Sequence, residues 1–577
     1  MKKKSKDILV VAILYTLIFI VYTFPLILKF DNAFVGDLMG DASQFFWNAY
    51  HFKKSFPDVC KILYTNDILY PEGVSLLVNS NTYIYGIAGL FSKNPYLSFN
   101  IIVALSFILS GVAAYLLCRK YIDNKFLCAL AGFIFAFSPY KLIRLTGHYN
   151  LLLTFTIPLI FICFAKIVTL KDDKINFNFD KKNCLIFFGL FGFTLLLDYV
   201  VVFHALYLCA AYLFALVALT IKWKKSKTQL IIIGVSSLVV VHFIIIGLRL
   251  LGVDDRGAFW WGNDSASFFI PSYNSLFYKN IDPSIWFHQH PEGIESVMFL
   301  GYTFILLSFF AFVFYIRNFQ YLSVQLKLLF ITCIVLCMLS IPSMKILGKE
   351  IFNMPTSSIH FIPFFNNVRI AGRIIMLISL ILPILSLYYL DKKIKQRYSL
   401  TAAVSAANIS AVIIGFLLFI EFFPAKYEFT KQADIPNFVY KIENNGNSIL
   451  NIPFGIKDGN KMLGQFECKN LFYQTVYHAP ILDGYTSRIK DKVFLAYQEN
   501  TIANELLNYS KDTTSQFNAL NNKLSEYISE NAIGYIIISP SHRNRRFESV
   551  IEAALMKKYN KLNCEEEEGY KIIKLKL

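Results

Sequence analysis

Long apolar runs, separated alternately by short basic and longer polar stretches, set the pattern of the chain. A run of about 20 apolar residues crosses the hydrocarbon core of a bilayer as a helix. Such runs lie at Ile8–Leu28, Asn100–Cys118, Phe126–Ser138, Leu151–Leu170, Cys184–Leu197 and Val201–Ile221. They continue at Leu230–Leu248, Val297–Tyr315, Leu328–Met344, Ile374–Leu390 and Ala402–Phe423. Together they predict about eleven transmembrane helices, the third being the weakest because it is short. The first run is long and lacks a small-residue cleavage site, so it reads as a span rather than a secretion signal. The shorter run Tyr83–Phe91 is expected to lie in or on the membrane surface.

Three regions are too polar for the membrane. Two are long loops, 29–99 and 249–296, and loops of that length in a compact protein usually carry function. The third, 425–577, has the size of one domain. Within it Ser448–Pro453 and Ile533–Ser539 read as short buried strands, and Gly569–Leu577 as a closing strand. Asn504–Asn531 and Phe547–Tyr559 carry helical spacing. The acidic run Glu565–Glu568 reads as a solvated turn. The expected organisation is thus a transmembrane domain over 1–424 and an α/β domain over 425–577.

Composition agrees with a polytopic membrane protein. Of 577 residues 55% are hydrophobic and only 16% charged, too few charges for a soluble chain of this size. The excess of 56 Lys+Arg over 39 Asp+Glu, a net +17, would suit nucleic acid if it were clustered on one domain. Instead it recurs between alternate runs: Lys2, Lys3, Lys4 and Lys6; Arg119, Lys120 and Lys125; Lys222, Lys224, Lys225 and Lys227; Lys392, Lys393, Lys395 and Arg397. That is the positive-inside pattern. It predicts a cytoplasmic N-terminus, an extracytoplasmic C-terminal domain and no nucleic-acid partner. The loops at 139–150, 198–199, 249–296 and 345–373 then fall outside. The ten cysteines show no framework spacing, and no Walker loop, dinucleotide fingerprint or nucleophile elbow sits in a fitting context.

Candidate chemistry gathers on the outer side. Asp37 and Asp41, four apart in Gly36-Asp37-Leu38-Met39-Gly40-Asp41, would share a helix face, where a carboxylate against apolar surface suits a general base. Either could instead cap the helix that follows. Arg369 and Arg373 share the outer start of the tenth span, where cations oppose both the helix dipole and the topological bias, as if an anion offset them. Snorkelling or salt bridging is the plainer alternative. Lys141, Arg144 and His148 follow the third span. His148 either meets a ligand or satisfies a loop hydrogen bond. Asp198, in a very short turn, either caps it or meets a ligand. Trp260 and Trp261 offer a stacking surface for a sugar or an interface anchor. His288-Gln289-His290-Pro291-Glu292 and Glu295 have metal-ligand types without a zinc spacing.

The long first loop with its Asp soon after the first helix, the helix tally and the C-terminal domain resemble the GT-C superfamily of membrane glycosyltransferases. So do Ser138-Pro139-Tyr140-Lys141-Leu142-Ile143-Arg144-Leu145-Thr146-Gly147-His148-Tyr149-Asn150, Val368-Arg369-Ile370-Ala371-Gly372-Arg373 and Tyr473-Gln474-Thr475-Val476-Tyr477-His478, which resemble GT-C-like membrane proteins of undefined substrate. The resemblance implies a GT-C-like fold and transfer of a sugar from a polyprenyl-phosphate carrier to an envelope glycan, lipid or protein acceptor on the outer face, with inversion. It implies Asp41 or Asp37 as base, with Asp41 favoured by the aromatic helix behind it. Arg369 and Arg373 would face the donor phosphate, and His148, Asp198, Arg144 and Trp260 the sugar or acceptor. No cofactor is required, and a divalent metal is left unassigned. A transporter of lipid-linked saccharides and a non-catalytic envelope-assembly protein are the alternatives. The first is weakened by the lack of repeated halves or paired broken spans.

Overall fold

The computed structural model describes residues 2–77, 79–172, 174–221, 227–251, 263–272, 274–280, 293–362, 370–515, 517, 521–559 and 562–575. The chain divides into two compact units. One comprises Met1–Ile27, Val103–Leu145 and Tyr149–Tyr427; the other comprises Leu28–Ile102, Thr146–His148 and Glu428–Leu577. The first long loop thus groups by contact with the C-terminal residues, whereas the sequence reading had assigned it to the helical part.

The first unit is helical. Six helices of the described chain are long and apolar enough to cross a membrane: Ser5–Tyr22, Pro95–Cys118, Lys125–Arg144, Tyr199–Thr220, Ala371–Arg397 and Leu400–Glu421. The other predicted runs also contain helices, at Thr156–Ile167, Lys181–Leu197, Lys227–Leu250, Tyr302–Arg317 and Val324–Ser340. The chain is therefore a multi-pass membrane protein. The third span is longer than its apolar run. After a break at Phe137–Ser138 it resumes as Pro139–Arg144, with Pro139 at the first helical position and the Ser138 hydroxyl accepting the Lys141 N–H. Pro139, Lys141 and Arg144 interrupt the hydropathy signal, yet Lys141 is buried. Its ammonium donates to the Ser106 carbonyl at 2.9 Å and the Ser110 hydroxyl at 2.7 Å. A charge so satisfied does not report sidedness. A hairpin that hydropathy did not show, Ser343–Ile346 paired with Lys349–Asn353, begins at the end of the run Leu328–Met344 and continues into loop 345–373.

The second unit is α/β. Its four-stranded sheet runs Asn563–Glu567, Tyr570–Lys574, Ile533–Ile538, Ser448–Ile452, with the last two parallel and the other pairs antiparallel. The predicted buried strands and closing strand are present. Helices occupy Thr501–Lys511, Asn521–Glu530 and Arg545–Met556, so the first predicted helical stretch is two helices. Glu565–Glu568 is corrected. Most of it forms the edge strand Asn563–Glu567, whose side chains are largely exposed. Charges on an edge are common because they deter pairing with another chain.

The first loop contributes a strand, Ala33–Val35, paired antiparallel with Phe429–Lys431, and the helix Asp41–Ser55. Phe34, Phe46 and Phe472 form an aromatic core, Phe34 stacked on Phe46 at 4.8 Å and Phe46 meeting Phe472 at 5.6 Å. Tyr83–Leu90 is a helix of this unit, and Tyr83 meets Phe52 of the Asp41 helix at 5.7 Å.

A polar knot ties the sheet to its neighbours. Asp483 is fully buried, accepting from the Asn451 amide at 2.9 Å and the Asn470 amide at 2.8 Å. Burial pushes its carboxyl from 3.8 up to about 7, although both amides pull it down. A raised carboxyl contributes stability that is complete below its unfolded value and is lost as pH rises through the folded one. Relative to the wild type, Asp483→Asn is expected to gain up to about 4 kcal/mol between about pH 4 and about pH 8. Thermal melting of the full chain in detergent at both ends of that range reads the effect. A difference that does not change with pH contradicts it.

Candidate active site

In the second unit the turn before the Asp41 helix separates the two candidate carboxylates. The exposed Asp37 accepts the Met39 N–H at 3.0 Å and its carbonyl accepts the Gly40 N–H at 3.0 Å, so Asp37 holds the turn. Gly40 is the helix N-cap and gives no side-chain cap, which places Asp41 at the first helical position. There a carboxylate is favoured by the helix dipole. Its Oδ2 lies 3.7 Å from Nε2 of His148, with the Asp41 side chain 29% and the His148 side chain 18% exposed.

His148 reaches this place because the segment Thr146–His148 belongs to the second unit although the residues on either side belong to the first. Gly36 makes the approach possible. At φ +130° it occupies backbone space that favours glycine, and a Cβ there would strike the Thr146 carbonyl and the Ala42 Cβ. Behind Asp41, the helix turns a buried polar stripe inward: Gln44, Asn48 and His51. Asn48 donates to the Ser80 carbonyl at 3.0 Å, and His51 stacks on Trp47, whose indole N–H donates to Gln474 at 2.6 Å. This stripe holds the helix in one rotation about its axis. The apolar pattern of the sequence hid it, since Phe45, Phe46 and Trp47 dominate the same segment. Cys468 is buried nearby. Burial pushes its thiol up to about 12, with Lys457 lowering it and the Asp41 and Asp37 carboxylates raising it further.

In the first unit Arg144 and Arg373 converge on one carboxylate, Glu295. The Arg144 Nη2 lies 2.7 Å from Oε2. Arg373 uses both edges of its fork, Nε to Oε2 at 3.1 Å and Nη2 to Oε1 at 2.5 Å. Arg144 is wholly buried, Glu295 nearly so, and Arg373 keeps 17% of its side chain exposed. The Arg144 guanidinium lies 4.7 Å over the Tyr140 ring, and Asn263 donates to the Glu295 carbonyl at 3.1 Å. Two guanidinium groups against one carboxylate leave a net positive charge. Arg144 thus has a structural partner within its unit, and Glu295, grouped by sequence with metal-type ligands, is that partner. Asp198 accepts the Val200 N–H at 2.7 Å and caps the helix Tyr199–Thr220, the local reading of that residue. Arg369 and Trp260 lie outside the described residues, as do His288, His290 and Glu292. Among the described residues no group of His, Cys, Asp and Glu is arranged to hold a metal ion.

No curated protein matches the chain in sequence. Among solved structures it is similar to the Archaeoglobus fulgidus oligosaccharyltransferase in its apo form, with 13% identity over 94% of this chain and 71% of that one and a TM-score of 0.48. It is similar to oligosaccharyltransferase AglB from Archaeoglobus fulgidus in complex with an inhibitory peptide and a dolichol-phosphate, with 13% identity, 95% and 71% coverage and a TM-score of 0.47. It is also similar to ArnT from Cupriavidus metallidurans bound to undecaprenyl phosphate, with 9% identity, 97% coverage of both chains and a TM-score of 0.36. Residues 12–411 match the family described as a domain of unknown function, DUF6311, and the chain belongs to that family.

Proposed function

We propose that the chain is a GT-C-type membrane glycosyltransferase that moves a sugar from a polyprenyl-phosphate carrier to a glycan, lipid or protein acceptor on the outer face. The observation that carries this reading is the Asp41 carboxylate, free of capping duty and 3.7 Å from the His148 ring. The resemblance of the first loop to the GT-C superfamily supports it. Asp41 takes the proton of the acceptor hydroxyl while that oxygen attacks the anomeric carbon. The bond from that carbon to the phosphate oxygen breaks, the polyprenyl phosphate leaves with the bonding pair, and a single displacement inverts the centre. His148, 3.7 Å away, orients the carboxylate. Arg373, by the role that the resemblance implies, is assigned to the departing phosphate, where positive charge counts most in the transition state. Arg369 and Trp260 keep the roles that the resemblance implies. The N-terminus is assigned to the cytoplasm and 425–577 to the outer side.

The test is release of polyprenyl phosphate from a panel of lipid-linked sugars by membranes containing the protein and by membranes lacking it. Release of one carrier with transfer of its sugar supports the reading; equal rates for every donor remove it. Because Gly36 sets the distance between Asp41 and Thr146–His148, Gly36→Ala is expected to slow transfer by about 10²-fold. Unchanged turnover in a folded Gly36→Ala protein would show that this approach is not used.

A further inference from the structure

The second unit holds a cleft of 520 Å³ that none of the residues above lines, a volume in the range of small-ligand sites. Its lining includes Arg488, Lys490 and Lys492 and one acid, Glu72, so the lining is net positive. Among the described residues none of the three cations pairs with a carboxylate. Asp491, which lies between the two lysines in sequence, is taken by Lys461 at 2.5 Å. Arg488 spends one N–H on the Ser487 carbonyl at 2.7 Å. The backbone beneath is fixed: the Ser487 N–H donates to Asn79 at 2.8 Å and the Ile489 N–H to Asp458 at 3.3 Å. The cations are therefore uncommitted on a rigid base. Like charges gathered in a concave wall repel one another unless an anion offsets them.

The rest of the lining is of another kind. The Tyr64 ring is 50% exposed yet held, because its hydroxyl donates to the Glu72 carbonyl at 2.6 Å. Gly73, at φ +66°, lets the ring lie close, since a Cβ there would meet the Tyr64 hydroxyl at 2.6 Å. Val74 and Ile489 give an apolar floor. A held aromatic ring beside an apolar floor suits the C–H face of a sugar, and a row of free cations suits carboxylate or phosphate groups on the same chain.

We propose that this cleft binds an anionic glycan, the chain that accepts or has accepted the sugar. The assignment rests on the sugar-transfer reading above for its biological role. It is tested on the purified full chain in detergent by calorimetric titration with an oligogalacturonate, its neutral methyl ester and inorganic polyphosphate. The oligogalacturonate is expected to bind at least about tenfold more tightly than the ester. The triple variant Arg488→Gln, Lys490→Gln, Lys492→Gln is expected to lose that advantage. Tyr64→Ala is expected to weaken the oligogalacturonate several-fold and leave polyphosphate unaffected. Tyr64, Lys490 and Lys492 are exposed and Arg488 is half-buried, and unchanged melting of each variant confirms its fold. Equal binding of ester and acid, no binding of either, or polyphosphate binding as tight as the oligogalacturonate and independent of Tyr64 overturns the proposal. Asp41→Asn is expected to bind the oligogalacturonate as the wild type does. Normal sugar transfer by Asp41→Asn would refute the proposed base and leave the cleft standing, so the two readings fail separately.

Discussion

Asp41→Asn is expected to slow sugar transfer by about 10²–10⁴-fold, the usual contribution of a positioned general base. The amide keeps the size of the carboxylate and the first helical position, so the fold should be unchanged while the proton acceptor is gone. Asp37→Asn is the informative contrast. Asn makes the same turn that the Asp37 carboxylate makes with the Met39 N–H, so its rate is expected to stay within about threefold of wild type. Initial rates of polyprenyl-phosphate release by purified protein, with melting curves as the control for folding, read both variants. Equal losses in the two would mean that the turn, and not the Asp41 proton acceptor, limits the reaction. His148→Gln tests the orienting role, with an intermediate loss expected.

Glu295→Gln is expected to destabilise the helical unit by about 3–5 kcal/mol, because it removes the counter-charge of two guanidinium groups. Arg144 is wholly buried and its partner is nearly so, so water does not screen the loss. Arg144→Met should cost less, since Glu295 keeps the two hydrogen bonds from Arg373. The order of melting temperatures in detergent, wild type above Arg144→Met above Glu295→Gln, checks the argument. A Glu295→Gln protein that melts with the wild type would show that water or lipid reaches the guanidinium groups. The pair joins residues 151 positions apart at Arg144 and 78 apart at Arg373, and it places an ionised group where helices must otherwise pack apolar surface.

That separation explains what sequence reading reached. Hydropathy is a local signal, and each predicted apolar run contains a helix. The buried strands Ile533–Ile538 and Ser448–Ile452 were equally visible as short apolar runs. The Asp41 helix was visible from its aromatic residues, and capping by Asp198 was one of the two readings considered for that residue. Long-range partners were not visible. Nothing local in the sequence joins His148 to Asp41 or Glu295 to the arginines, and Glu295 sits beside His288 and His290, whose types suggest metal instead. The extension of the third span to Arg144 was hidden because Lys141 and Arg144 break the hydropathy signal while being satisfied by Ser110 and Glu295. The edge strand Asn563–Glu567 was hidden because four consecutive glutamates carry little strand propensity, and pairing with Tyr570–Lys574 decides its conformation.

The most direct test of the central claim compares envelope glycans in three otherwise identical strains: the parent, a deletion of this chain, and one carrying Asp41→Asn at normal protein level. The account predicts that one sugar present in the parent is missing from both of the others. An Asp41→Asn strain with the parent's glycans, alongside a deletion that lacks the sugar, would contradict it.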